Sequence, residues 1–216
     1  TAVQTGRDVT GTLTVTYGET SCTLPVTVGS SQPFDDTKGH WAESYITELY
    51  YAGTLQGSEK NGKLYYRPDA SMTRQEFIVA MMRYLGTDLS SFSSVQLPFD
   101  DSGSIASWAK SAMQAAYQLG YLTGSKTNGK LLAKPGSTIS RQEAMTILSR
   151  TKDFADADLN VLSAFSDSGK IADWARTALA QMTQQKIISG SKGKLNPTGK
   201  VTRAEVAKML YMLSEL

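Results

Sequence analysis

The sequence predicts a mainly α chain, built of three helical repeats behind a short β-hairpin. A four-residue phrase occurs three times, as Thr73-Arg74-Gln75-Glu76, Ser140-Arg141-Gln142-Glu143 and Thr202-Arg203-Ala204-Glu205, each followed by an apolar run. A hydroxyl residue with glutamate three positions on is a capping box, so each phrase marks a helix start. Trp41-Ala42, Trp108-Ala109 and Trp174-Ala175 recur at intervals of 67 and 66 residues, the mark of a repeat architecture. Residues 9–28 instead alternate threonine with valine, leucine and tyrosine around Gly18-Glu19, which reads as two strands and a turn.

Taken in order, the hairpin comes first. Two strands alone are marginal in water, so residues 1–30 are expected to be the end of a larger, Ig-like β-sandwich, or to dock on the helical part or another chain through an open edge. Gly29-Ser30-Ser31-Gln32-Pro33 is a linker by composition. The chain starts at Thr1 without a leader, and is expected to be a piece of a longer secreted protein.

Each repeat opens on Phe with Asp: Phe34-Asp35-Asp36, Phe99-Asp100-Asp101 and Phe165-Ser166-Asp167. A first helix is predicted from near the tryptophan to near Gly53, Gly120 or Lys186. Its inward positions are Ile46, Met113 and Leu179, then Leu49, Ala116 and Met182. A loop with a variable tip follows, carrying Gly57-Ser58, Gly124-Ser125 and Gly190-Ser191, then Pro68, Pro135 and Pro197. The proline follows the glycine by 11 residues in the first two repeats and by 7 in the third. The capping box then starts a second helix, with stripes such as Phe77, Ala80, Met81, Tyr84 and Val206, Met209, Leu210, Leu213. Ser/Asp-rich stretches, 87–94 and 153–160, join the repeats. One helix pair cannot bury its stripes alone, so the three are expected to share a core.

Several residue types invite a chemical role. The tryptophans, at the start of amphipathic helices, read as core anchors in preference to sugar platforms. The aspartates lack a calcium-loop pattern and read as capping or arginine-pairing groups. His40, replaced by Ser107 and Asp173 in the other repeats, reads as a cap-region surface residue. The Gly-Ser pair is either a turn or a point of close approach for a ligand. The arginines carry most information, because a cation at a helix N-terminus is mildly unfavourable. Either guanidinium and helix start together attract an anionic ligand, or each arginine pairs with a carboxylate of a neighbouring repeat; both can hold at different sites.

In that order, Phe-Asp, Trp-Ala, Gly-Ser and Thr-Arg-x-Glu resemble the S-layer homology (SLH) domain triplet, with repeats at 33–88, 97–152 and 163–216. The resemblance implies a pseudo-threefold, three-pronged assembly around a central three-helix bundle. It implies non-covalent anchoring of a secreted protein to an acidic cell-wall polysaccharide, often pyruvylated, at the bacterial cell surface. Site residues so implied are Arg74, Arg141 and Arg203. The residues themselves add Gly57, Ser58, Gly124, Ser125, Lys126, Gly190, Ser191 and Lys192; the first repeat has Glu59-Lys60 where the others have lysine. The third repeat departs most, with Phe-Ser-Asp and a short loop.

Other classes find little support. A net charge of +2 without like-charge blocks argues against nucleic acid. No run approaches a membrane span, and the single cysteine, Cys22, gives no disulfide framework. No catalytic set, metal set or cofactor motif stands out; the capping glutamates are already engaged. An accessory domain of a glycan enzyme and a lattice-forming subunit are the alternatives; a monomeric triplet is expected.

Overall fold

The hairpin forms as its alternation predicts. The computed structural model describes residues 9–18, 20–28 and 32–216, in two units divided after Pro68. In the first, β1 (Val9–Tyr17) pairs antiparallel with β2 (Thr20–Val28), in register from Val9 opposite Val28 to Tyr17 opposite Thr20. Glu19 and the linker residues Gly29, Ser30 and Ser31 lie outside the described residues. The described side chains of 11–18 and 20–25, including Cys22, are all exposed.

α1 (Glu43–Tyr51) follows, burying Ile46 and Leu49. The predicted loop then proves to be a small hairpin of β3 (Ser58–Lys60) and β4 (Lys63–Tyr65). The reason lies in its tip: Asn61 and Gly62 both have positive φ, 53° and 72°, as a type I′ turn requires. Phe34 is buried against Tyr50 and Tyr66, with ring centroids 5.0 and 5.3 Å away.

The second unit holds α2 (Arg74–Tyr84), α3 (Lys110–Gln118), the hairpin β5 (Ser125–Thr127) and β6 (Lys130–Leu132), α4 (Arg141–Ser149), α5 (Asp173–Gln184) and α6 (Arg203–Ser214). Asn128-Gly129 repeats the type I′ tip. In the third repeat the shortened loop keeps only the Ser191–Lys194 bridge around Lys192-Gly193. All three capping boxes are closed. The Thr73, Ser140 and Thr202 hydroxyls accept from the N3 amides, and the glutamates accept the N-cap amides at 2.8, 2.8 and 2.9 Å.

Helices α2 and α4 bury more than a stripe: Phe77–Met82 and Ala144–Leu148 are continuous buried runs, because neighbours pack on several sides. α2 packs on α3 and α6, and α4 on α5. The strands leading into the capping boxes close on one another cyclically: Met72 N–H donates to Val201, Val201 N–H to Ile139, and Ile139 N–H to Met72.

The predicted core is where it was expected, except for the tryptophans. Ile46, Met113, Leu179, Leu55, Leu122 and Ile188 are buried, whereas Trp41, Trp108 and Trp174 are 55%, 59% and 58% exposed. The inward position at each helix start is taken by the next residue, Ala42, Ala109 or Ala175, fully buried in all three. One step along a helical turn rotates a side chain by about 100°, so alanine inside turns tryptophan outward.

The joining stretches are ordered. Asp88 and Asp158 cap 3₁₀ turns at Leu89–Phe92 and Leu159–Ala164, and Gln114 Nε2 donates to the Ser93 and Val95 carbonyls at 3.2 and 2.7 Å. First helices end in left-handed residues: Gly53 and Gly120 at φ 77° and 78°, then Lys186 at 57°. Glycine takes that conformation freely, whereas a residue with Cβ pays about 1–2 kcal/mol. Lys186→Gly is therefore expected to stabilise the protein by up to about 1 kcal/mol in urea titration. Gly124→Ala is expected to cost about 2–4 kcal/mol by the same measurement, since φ is 71° and a Cβ there would lie 2.6 Å from the Phe99 ring.

Candidate functional site

The Phe-Asp motif begins the site. The aspartate two residues after each phenylalanine grips the backbone just ahead of the repeat's proline. Asp36 accepts from the amides of Tyr66 and Arg67 (2.9 and 2.7 Å), Asp101 from Ala133 and Lys134 (2.8 and 2.7 Å), and Asp167 from Leu195 and Asn196 (2.9 and 2.8 Å). Arg67, Lys134 and Asn196 are all left-handed, at φ 58°, 52° and 51°. The bidentate carboxylate fixes this unfavourable backbone. It does so in place of the helix capping or arginine pairing expected of these aspartates. Asp35 instead pairs with Lys63. Among the described residues, no cluster of three or more His, Cys, Asp or Glu can hold a metal.

The gripped segment presents a carbonyl to the arginine of another repeat. Arg74 Nε donates to Ala133 O at 2.9 Å, and its Nη1 meets Glu143 at 3.0 Å. Arg141 Nε donates to Leu195 O at 2.8 Å, and its Nη1 meets Glu205 at 2.6 Å. Each glutamate is thus shared between its own capping box and the preceding repeat's arginine. Arg203 sits at the same N1 position of α6, its amide donating to Ala70 O. Burial pulls the Arg74 guanidinium below its usual value, against the opposing pull of Glu143 and Asp101; with its side chain 10% exposed, the ion is held by the Ala133 carbonyl and the Glu143 carboxylate.

Beside Arg74 opens a cleft of about 340 Å³, lined by Leu122, Thr123, Gly124, Ser125, Glu143, Thr146, Ile147, Arg150 and Trp174. The structure thus brings Arg74 to Gly124-Ser125, two of the sequence-predicted groups from adjacent repeats. The glycine's close approach is to the protein itself: a Cβ at Gly57, Gly124 or Gly190 would strike the ring of Phe34, Phe99 or Phe165. Ser58, Ser125 and Ser191 open the hairpins or the bridge. Lys126 lies exposed on β5 and is not part of the cleft lining, and Lys192 occupies the exposed turn at φ 50°. Glu59 and Lys60 are exposed on β3. His40 is a cap residue, its Nδ1 accepting from the Ala42 amide at 3.1 Å.

Two cleft residues depart from the sequence reading. Trp174, which reads as a core anchor in preference to a sugar platform, lines the cleft. Arg150 lies nine positions after Arg141, at the end of α4, a place held by Arg83 in the first repeat and Met212 in the third; that spacing is the signal that points to it. A further role emerges for the residue between Arg and Glu. Gln75 Oε1 accepts from the Ala106 amide and Gln142 Oε1 from Ala172, both at 3.0 Å, each tying a second helix to the first helix of the next repeat. The third phrase has Ala204 there.

The S-layer homology domain family matches at residues 33–78, 98–145 and 164–207, more than half of the chain. The chain belongs to the S-layer homology domain family. Its SLH repeats are similar to parts of larger proteins. These include an amylopullulanase of Thermoanaerobacterium thermosulfurigenes (28% identity over 94% of this chain and 10% of that one) and an endoglucanase of Bacillus sp. strain KSM-635 (30%, 84% and 18%). A surface-layer 125 kDa protein of Lysinibacillus sphaericus is 32% identical over 84% of this chain and 15% of its own. The chain spans between a tenth and a fifth of these relatives. As an SLH module it belongs outside the cell, at the bacterial surface.

Glu143→Ala is expected to cost about 2–4 kcal/mol in urea titration, because it opens a capping box and strands a mostly buried guanidinium. A pH effect follows from Asp167. Burial works against its ionisation, but the Leu195 and Asn196 amides and Lys170 outweigh it, holding the carboxyl below its ordinary value of 3.8. A depressed carboxyl stabilises the fold fully above that ordinary value and loses the contribution as pH falls through the folded one. The stability gap between wild type and Asp167→Asn should therefore be constant near neutrality and close under strongly acid conditions.

Proposed function

We propose that this chain anchors its parent protein non-covalently to a secondary cell-wall polysaccharide carrying acidic, pyruvylated sugars. The observation that carries this is the cleft in which Arg74, the Gly124-Ser125 pair and Trp174 converge from three repeats. A ketal carboxylate suits a guanidinium fork, Ser125 offers a hydroxyl to a sugar oxygen, and an exposed indole offers an apolar face to a pyranose ring. Arg141 and Gly190-Ser191-Lys192 are the corresponding groups for a further groove. The cyclic backbone bonds of Met72, Ile139 and Val201 support the three-pronged arrangement that the family resemblance implies. Several weak grooves on one body would give avidity on a repetitive polymer.

The names of the relatives fit an accessory role. Two degrade glycans and one forms a surface layer, and the shared stretch is a minor part of each. The chain itself would then be an anchor rather than an enzyme, and the hairpin would be its junction to an upstream β-domain.

Cell-wall sacculi, intact or stripped of secondary polymer, test the proposal by co-sedimentation. Retention on intact sacculi only is the expected result, and Trp174→Ala should weaken it about tenfold, as loss of one stacked ring does. Equal retention on both preparations would overturn the wall-polymer assignment.

A further inference from the structure

Arg74 is the motif arginine, yet its charge is already answered. Glu143 takes one arm of its fork and Ala133 O another. The second guanidinium in the cleft is different. Arg150 Nη1 donates to the Tyr121 carbonyl at 2.8 Å and reaches the Thr123 hydroxyl at 3.4 Å. These partners hold the side chain but do not neutralise it, and no carboxylate pairs with it among the described residues. Three charged side chains line the cleft: Arg74, Glu143 and Arg150. The first two cancel, so the net positive charge is that of Arg150.

We propose that Arg150 is a second anion-attracting residue of this cleft, beside Arg74, and that its uncompensated charge sets the preference for a carboxylated over a neutral sugar. The inference rests on the glycan-binding reading above. Arg74 also lowers the proton affinity of the Arg150 guanidinium, after burial, as expected of two cations sharing a cleft that an anion would relieve. Repeat register extends the point. α6 carries Glu205 against Arg141 as α4 carries Glu143 against Arg74, and nine residues after its arginine α6 has Met212. By repeat register, then, the position beside Arg141 that corresponds to Arg150 is held by the uncharged Met212.

Isothermal titration of the full chain tests this, with a methyl hexoside bearing a 4,6-pyruvate ketal and with the methyl ester of the same ketal. Arg150→Met should weaken the acid about tenfold, as loss of a charge-assisted contact does, and leave the ester unchanged. Arg150→Lys, which keeps the charge without the fork, should fall between. Unchanged acid binding by Arg150→Met, or equal losses for acid and ester, would overturn the role of Arg150 while leaving the glycan reading intact. Failure of the wild type to bind either compound would overturn both.

Discussion

An arginine at the first turn of one helix, joined to the capping glutamate of the next repeat, is the contact on which this structure depends. Arg74–Glu143 and Arg141–Glu205 are each built from two copies of one four-residue phrase. A cation at a helix N-terminus is unfavourable alone. Here a carboxylate and a backbone carbonyl answer it, and the carbonyl is in place because Asp101 or Asp167 holds the preceding segment in a left-handed turn. The helix starts, Phe-Asp motifs and proline segments form one polar network, so removing any member exposes the others' unmet bonds.

The same network opens the cleft. Because the guanidinium of Arg74 is held sideways between Ala133 and Glu143, it walls the cleft rather than filling it. The Gly-Ser pair reaches the cleft because Gly124 lies flat against Phe99, where no other residue fits. Trp174 comes from a third repeat and stands outward because Ala175 occupies the inward place. A cleft assembled from consecutive repeats lets one repeated unit supply all of its walls.

The repeats are not identical, and their differences have physical causes. Gln75 and Gln142 each bond the helix start of a following repeat, a bond that the Ala204 side chain of the third phrase cannot make. The short third loop keeps a two-residue left-handed turn but one bridge in place of a hairpin. Lys186 takes the left-handed helix end that glycine takes elsewhere.

The capping boxes, the repeat period, the buried positions and the hairpin alternation were all legible in the sequence, because each depends on residues close together in the chain. The Asn-Gly tips were legible too, though read as variable loop. Both alternatives for the arginines had chemical grounds, and only folding chose the ion pair for Arg74 and Arg141, since their partners lie 69 and 64 residues away. The outward tryptophan, the shared glutamate and Arg150's place beside Arg74 were likewise decided by tertiary structure. Local sequence fixes where a helix starts and which residue caps it. Which charges cancel depends on which helix ends meet, and that is set by packing across repeats.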